Sequence, residues 1–231
     1  MNWMAKTRLG GSATGVAPSK PGPSPSNGQP ANLRTSNGLK EFLWLISDVP
    51  QGRILDLGPI WQSTLNFFLD KGYRVSAEDL LRTWKDFLTT EDERLRAAPA
   101  GADREKVSPA VLADKFLETS LQYPEKHFHG VLAWDLLDYF DPEVALRMME
   151  RLSFILHPGG ALLAQFHSRP PERFHRYRVV DSQNVELVAS PTIAVHAHVF
   201  QNREILSMFG QFRSSKTFVG RDQVREALFL K

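Results

Sequence analysis

Cysteine is absent from the chain. That one absence excludes a disulfide framework, a thiolate nucleophile and a thiolate-ligated zinc, and it closes the covalent sulfur route to carbon 5 of cytosine. Acids are missing from the first 40 positions, which carry Lys6, Arg8, Lys20, Arg34 and Lys40. Of the net charge of +2, the remainder therefore holds −3, and the folded part reads as mildly acidic. No apolar run is long enough to span a bilayer. "MNWMAKTRLGGSATG" has basic residues but no continuous apolar core behind them, unlike a secretory leader. The expectation is a cytoplasmic protein without a membrane partner.

The first segment also lacks apolar periodicity. "APSKPGPSPSNGQP" is rich in Pro, Gly and Ser, with too little apolar surface to offset chain entropy. Residues 1 to about 38 are expected to be a disordered tail, and 39–231 one folded domain. The tail's charges are widely spaced, so a solubilising leader is favoured over a nucleic-acid contact. A chain of 231 residues with 42% hydrophobic content suffices for one core.

What is present from Leu39 onward is an alternation of helix and strand. "NGLKEFLWLISDV" spaces Leu39, Phe42, Leu43 and Ile46 as an amphipathic helix that Pro50 stops. "RILDLG" is a short buried strand, followed by a helix with Trp61, Leu65, Phe68 and Leu69 on one face, then by the strand "YRVSAEDL". This strand, helix and strand make a parallel crossover unit. After a charged excursion and a helix near 109–116, "FHGVLAWDLLDYF" resumes the core, and Asp141-Pro142 starts another helix. "HPGGALLAQFH" turns into a further buried strand. Two β-rich pieces, "YRVV" and "TIAVHAHVF", lie between 169 and 200. "NREILSMFG" reads as a helix, and "FRSSKTFVGRDQVREALFLK" as an antiparallel hairpin at the sheet edge. The expected fold is α/β: a Rossmann-like, mostly parallel sheet with helices on both faces and a C-terminal antiparallel hairpin.

Four stretches in this order resemble the class I S-adenosylmethionine-dependent methyltransferases over about residues 39–231. "ILDLG" is similar to the first motif, "VSAED" to the second, "YPEKHFHGVLAWDLLDYF" to the approach to strand four, and "LHPGGALLAQF" to the turn into strand five. The resemblance implies S-adenosylmethionine as cofactor, with Asp56, Gly58, Asp79 and Glu118 as its binding residues, Asp79 taking the ribose hydroxyls and Glu118 the adenine. Methyl transfer from a sulfonium needs positioning and desolvation more than a fixed nucleophile. Asp135, after strand four, is the candidate catalytic residue that orients an acceptor or its proton; its bland alternative is a helix cap or a solvated acid. "SRPPERFHRYR" supplies Arg169, Arg173, His175 and Arg176 as candidates for holding an anionic or aromatic acceptor. The acceptor would be a small molecule or a protein, with nucleic acid possible but not favoured.

Glycine is scarce where the resemblance asks for it. In the Asp-x-Gly-x-Gly-x-Gly pattern, Asp56 and Gly58 match, but Ile60 and Gln62 stand at the other glycine positions and Pro59 removes an amide donor. Either Ile60 projects into the loop, or Ile60 and Trp61 pack into the core. No metal is expected. His196 and His198 share one face of an expected strand without a third ligand. His127 and His129 lie at the opposite pole, and His167-Ser168 stand where a catechol-type magnesium site would want Asp-Asn. Three readings stay open: metal-independent methyl transfer, a non-catalytic binding or assembly protein of the same fold, and a nicotinamide-dependent enzyme, against which the terminal hairpin argues.

Overall fold

A computed structural model of the chain describes residues 32–97, 108–220 and 222–231. In order these form β1 (Leu33–Thr35), α1 (Asn37–Leu45), β2 (Arg53–Asp56), α2 (Gln62–Asp70), β3 (Arg74–Ala77), α3 (Leu80–Ala97) and α4 (Pro109–Leu117). There follow β4 (Phe128–Trp134), a 3-10 turn (Leu136–Tyr139), α5 (Pro142–Ile155), β5 (Leu156–His167), β6 (His175–Val179), β7 (Asn184–Ala189), α6 (Asn202–Met208), β8 (Ser214–Val219) and β9 (Val224–Leu230). No helix among the described residues is long and apolar enough to cross a membrane.

The main sheet has the order β3-β2-β4-β5-β9-β8. β3, β2, β4 and β5 are parallel neighbours, whereas the chain's last strand, β9, enters antiparallel between β5 and β8. Strands covered on both faces lose the apolar-polar alternation of a half-exposed sheet, which is why Ile54-Leu55 of β2 and "VLAW" of β4 are consecutive buried apolar residues. Successive residues feed two separate cores. Leu55, Val131, Leu162 and Phe229 face α3 to α6, while Ile54, Leu132, Leu163 and Leu228 face α1, α2 and a second, smaller sheet. The expected Rossmann-like α/β fold, with helices on both faces and the terminal hairpin, is the one observed.

Local chemistry explains the helix starts. Ser36 Oγ accepts from Leu39 N at 2.9 Å, Ser108 Oγ from Val111 N at 3.3 Å, and Asp141 Oδ1 from Glu143 N at 2.9 Å, with Pro109 and Pro142 opening their helices. Gly38 lets α1 approach the sheet closely: a Cβ there would stand 2.7 Å from Leu163 Cδ1.

The second sheet, β1-β7-β6, is antiparallel and was not expected. It corrects two expectations. Of the tail placed at 1 to about 38, residues 1–31 lie outside the described residues, but 33–38 belong to the fold as β1, a cap and the start of α1. Arg34 bonds Gln165 and Glu226 at 3.3 Å each and Asp222 at 3.1 Å, and Gly38 N donates to Glu226 Oε2 at 2.8 Å. Those partners are remote in sequence, so composition did not signal them. "TIAVHAHVF" is irregular rather than a strand. The partner of β6 is β7, because Asp181 Oδ1 accepts from Gln183 N and Asn184 N at 2.8 and 2.9 Å and turns the chain back at once.

Candidate functional site

The chain leaves β2 for β3 on one side and later returns to β4 on the other, so the topological switch point lies between β2 and β4. In open α/β sheets, ligands bind outside the carboxyl ends of the strands at that point. Asp56 ends β2 there. Its buried Oδ1 accepts from Gly58 N at 2.9 Å and from Trp134 Nε1 at 2.7 Å. Burial pushes the Asp56 carboxyl up to about 6, against the lowering effect of those two donors.

Trp134, the last residue of β4, has φ +48°, a left-handed conformation that a bulky side chain rarely adopts, beside a register shift in the β4-β5 pairing. This backbone turns the indole over Gly58, where a Cβ would lie 3.0 Å from Trp134 Nε1. Tyr177 of β6 stacks on the indole, with centroids 5.3 Å apart and planes within 1°. Tyr177 OH lies 3.3 Å from Asp135 Oδ2. Beside them, Arg176 Nη2 donates to both oxygens of Asp79 at 2.8 and 3.0 Å, with its guanidinium 5.2 Å from the Phe174 ring centroid. The space left is a cavity of about 20 Å³, bordered by Gly58, Pro59, Trp134, Asp135, Arg176 and Tyr177. That is room for about one water.

Asp56, Gly58, Asp79, Asp135 and Arg176 are thus brought to one place. Glu118 is not among them: it caps the C-terminus of α4, is exposed, and does not line the cavity. Arg169 and Arg173 are exposed on the loop before β6, and His175 is half-buried at its start. Ile60 does not pack into the core, being 67% exposed, and the half-buried Trp61 precedes α2 without a side-chain cap bond. The side chains filling the cleft are Trp134, Tyr177 and Arg176. Asp135 is no helix cap, for its carboxyl bonds no backbone of the 3-10 turn it precedes. Burial raises it to about 6, the nearby His167 lowers it and Asp138 adds to the rise.

Two further residues, Asp138 unremarked in the sequence and His167 set aside there as no metal ligand, belong beside this site. Asp138, fully buried, and His167, at the end of β5, sit next to Asp135. Asp138 Oδ2 accepts from His167 N at 2.7 Å and lies 3.0 Å from His167 Nδ1 and 3.5 Å from His196 Nε2. Burial pulls the His167 imidazole down, but the Asp138 hydrogen bond and the Asp135 charge outweigh it and the net shift is upward. Positions three apart eclipse on a 3-10 turn, so "DLLD" puts Asp135 and Asp138 on one side. That signal was available only to a reader who recognised the turn. His198 does not join His196: its Nε2 lies 3.0 Å from Glu204 Oε1.

No protein-family model matches the chain, and no curated protein matches it. Solved structures do. The PH0226 protein of Pyrococcus horikoshii OT3 is 14% identical, with 82% of this chain and 88% of that one covered and a TM-score of 0.43. The Burkholderia thailandensis 1,6-didemethyltoxoflavin-N1-methyltransferase, solved with S-adenosylhomocysteine, is 15% identical over 84% and 76%, with a TM-score of 0.42. The glycopeptide N-methyltransferase MtfA complexed with S-adenosylmethionine is 16% identical over 91% and 99%, with a TM-score of 0.40. Similarity at this level does not transfer an activity.

Proposed function

We propose that this chain binds S-adenosylmethionine at the carboxyl ends of β2 and β3 and transfers its methyl group to an acceptor. The observation that carries the reading is the pair of carboxylates at the carboxyl ends of adjacent parallel strands, Asp56 as the last residue of β2 and Asp79 two residues past β3, with Asp56 holding the Gly58 turn. The donor set suits the cofactor: a carboxylate for two ribose hydroxyls, and beside it a backbone turn. When bound, the cofactor supplies an electrophilic methyl on a good leaving group. Asp79 accepts from the ribose once Arg176 has turned away. Trp134 and Tyr177 are apolar walls that keep water out, and Asp135 orients the acceptor from beside Tyr177 OH. Arg169, Arg173 and His175, at the mouth of β6, would hold an anionic acceptor. The readings of Asp135 and of these three side chains extend the cofactor assignment and fall with it.

The second reading, a non-catalytic binding or assembly protein of the same fold, is favoured by the cavity of about 20 Å³. Calorimetric titration with S-adenosylmethionine separates the two. Wild type should bind, and Asp79→Ala should lose about 1.5–3 kcal/mol, roughly ten- to a hundredfold in affinity. Arg176→Ala, which removes a competitor for Asp79, should bind about tenfold more tightly than wild type. Wild type and Arg176→Ala both silent at millimolar cofactor would overturn methyl transfer in favour of the non-catalytic reading.

A further inference from the structure

We propose that Asp138, His167 and His196 form a binding site for a divalent first-row transition cation, with zinc as the reference ion. The three come from separate parts of the chain: the 3-10 turn after β4, the end of β5 and the irregular segment before α6. One ligand atom from each lies within 4.8 Å of the others. The separations, 3.0 Å for Asp138 Oδ2 to His167 Nδ1 and 3.5 Å for Asp138 Oδ2 to His196 Nε2, bracket the edge of a zinc tetrahedron. Bonds of about 2.0–2.1 Å place tetrahedral ligands about 3.3 Å apart.

The second observation is what these atoms lack. Asp138 Oδ1 and His196 Nε2 are buried without a hydrogen-bond partner, and so is the hydroxyl of Tyr139, whose ring packs on His196. The Asp138 side chain is fully buried and that of His196 is 8% exposed. Buried polar atoms are nearly always satisfied, and a buried carboxylate with one oxygen unbonded among the described residues, its other oxygen 3.5 Å from an equally unbonded imidazole nitrogen, suits a cation. Two imidazoles and one carboxylate select zinc, iron or nickel over magnesium and calcium, which prefer oxygen-only ligands. The backbone supports the arrangement from behind: Asp138 O accepts from Ala197 N and His198 N at 2.8 and 3.1 Å, fixing the segment that carries His196. The His167 side chain is 13% exposed, and Asp135 Oδ2 stands 3.9 Å from His167 Nδ1, a second carboxylate beside the site. Three protein donors leave a tetrahedral ion one position for a water or another oxygen. The site does not rest on the cofactor reading, and it departs from the sequence expectation of no metal, which considered His196 without the two ligands the fold brings to it.

The test uses the untagged full chain, stripped with a chelator and dialysed. Titration with Zn²⁺ should show one equivalent bound, and Co²⁺ should give the visible absorption of a tetrahedral ion, whereas Mg²⁺ should not bind. Bound Zn²⁺ should raise the unfolding midpoint and protect the segment 190–200 from proteolysis. His196→Ala and His167→Ala should each weaken Zn²⁺ at least a hundredfold, and His198→Ala should bind as wild type. Asp138→Asn should do the same as the ligand histidines if it folds; the two histidine variants keep the test valid if it does not. Absence of stoichiometric Zn²⁺ binding, or wild-type binding by both His167→Ala and His196→Ala, would overturn the site. Loss of binding in His198→Ala with retention in His196→Ala would overturn it equally.

Discussion

At the carboxyl ends of β2 and β3, the groups that a ligand would use are already engaged: Asp56 takes two donors and Asp79 holds Arg176. At the ends of β4 and β5, Asp138 Oδ1 and His196 Nε2 face each other's surroundings with no partner. A ligand entering the first place must displace Arg176 from Asp79, while an ion entering the second replaces the Asp138–His167 side-chain bond and gives His196 Nε2 a partner it lacks among the described residues. The sequence pointed to the first and away from the second, because residue types and spacing announce which side chains can bind something, and satisfaction by neighbours is settled only by the fold.

Removing the indole tests the first half of this comparison most severely. Trp134→Ala deletes a buried aromatic and one of the two donors to Asp56, so it should lower stability by about 3–5 kcal/mol, read from the denaturant midpoint. A loss under about 1 kcal/mol would mean that the cleft is not closed by this residue.

A pH series is the next largest effect. The Asp56 carboxyl rises from its ordinary 3.8 to about 6 in the folded chain, so the folded state holds the proton more tightly than the unfolded one. Its contribution is fully present below about pH 4 and is lost as pH rises through about 6, some 3 kcal/mol at most. Unfolding free energies at pH 4 to 7 should therefore fall by that amount relative to Asp56→Asn, in which this part of the slope disappears. A wild-type slope identical to the variant's would show that Asp56 ionises as freely as an exposed acid.

The smallest effect belongs to Arg176→Ala. Its partner Asp79 remains 20% exposed and keeps a second arginine, Arg82, at 3.8 Å. Stability should change by about 1 kcal/mol or less. A loss several times larger would make the Arg176 pair a structural element and weaken the case that it yields to a ligand.

The fold was legible because its signals are local and repeated. Apolar strands such as "RILD", caps at Asp141-Pro142 and the hairpin of β8 and β9 need no knowledge of distant residues. The site was legible as far as it follows strand ends: Asp56, Asp79 and Asp135 stand at the carboxyl ends of β2, β3 and β4. What was not legible depends on long-range contacts. Arg34 meets residues beyond position 160, Trp134 takes a left-handed backbone that no propensity predicts, and His167 and His196 converge only once the 190–200 segment folds back onto the 3-10 turn. Glu118 was placed by analogy with a strand that the described residues do not contain.

β6 crosses the cleft as the inner edge of a three-stranded plate, and the plate is pinned. Val179 N donates to the buried Thr64 Oγ1 at 3.0 Å, tying β6 to α2, and through β7 and β1 the far edge reaches Arg34 and its bonds to β9. An object fixed along two margins does not swing on a hinge. Making room beside Asp79 is then a matter of side-chain rotation by Arg176 and Tyr177, with the β6 backbone as a standing wall. Occupation of this cleft would register as a change in the environment of one stacked indole, and would leave the dimensions of the molecule as they were.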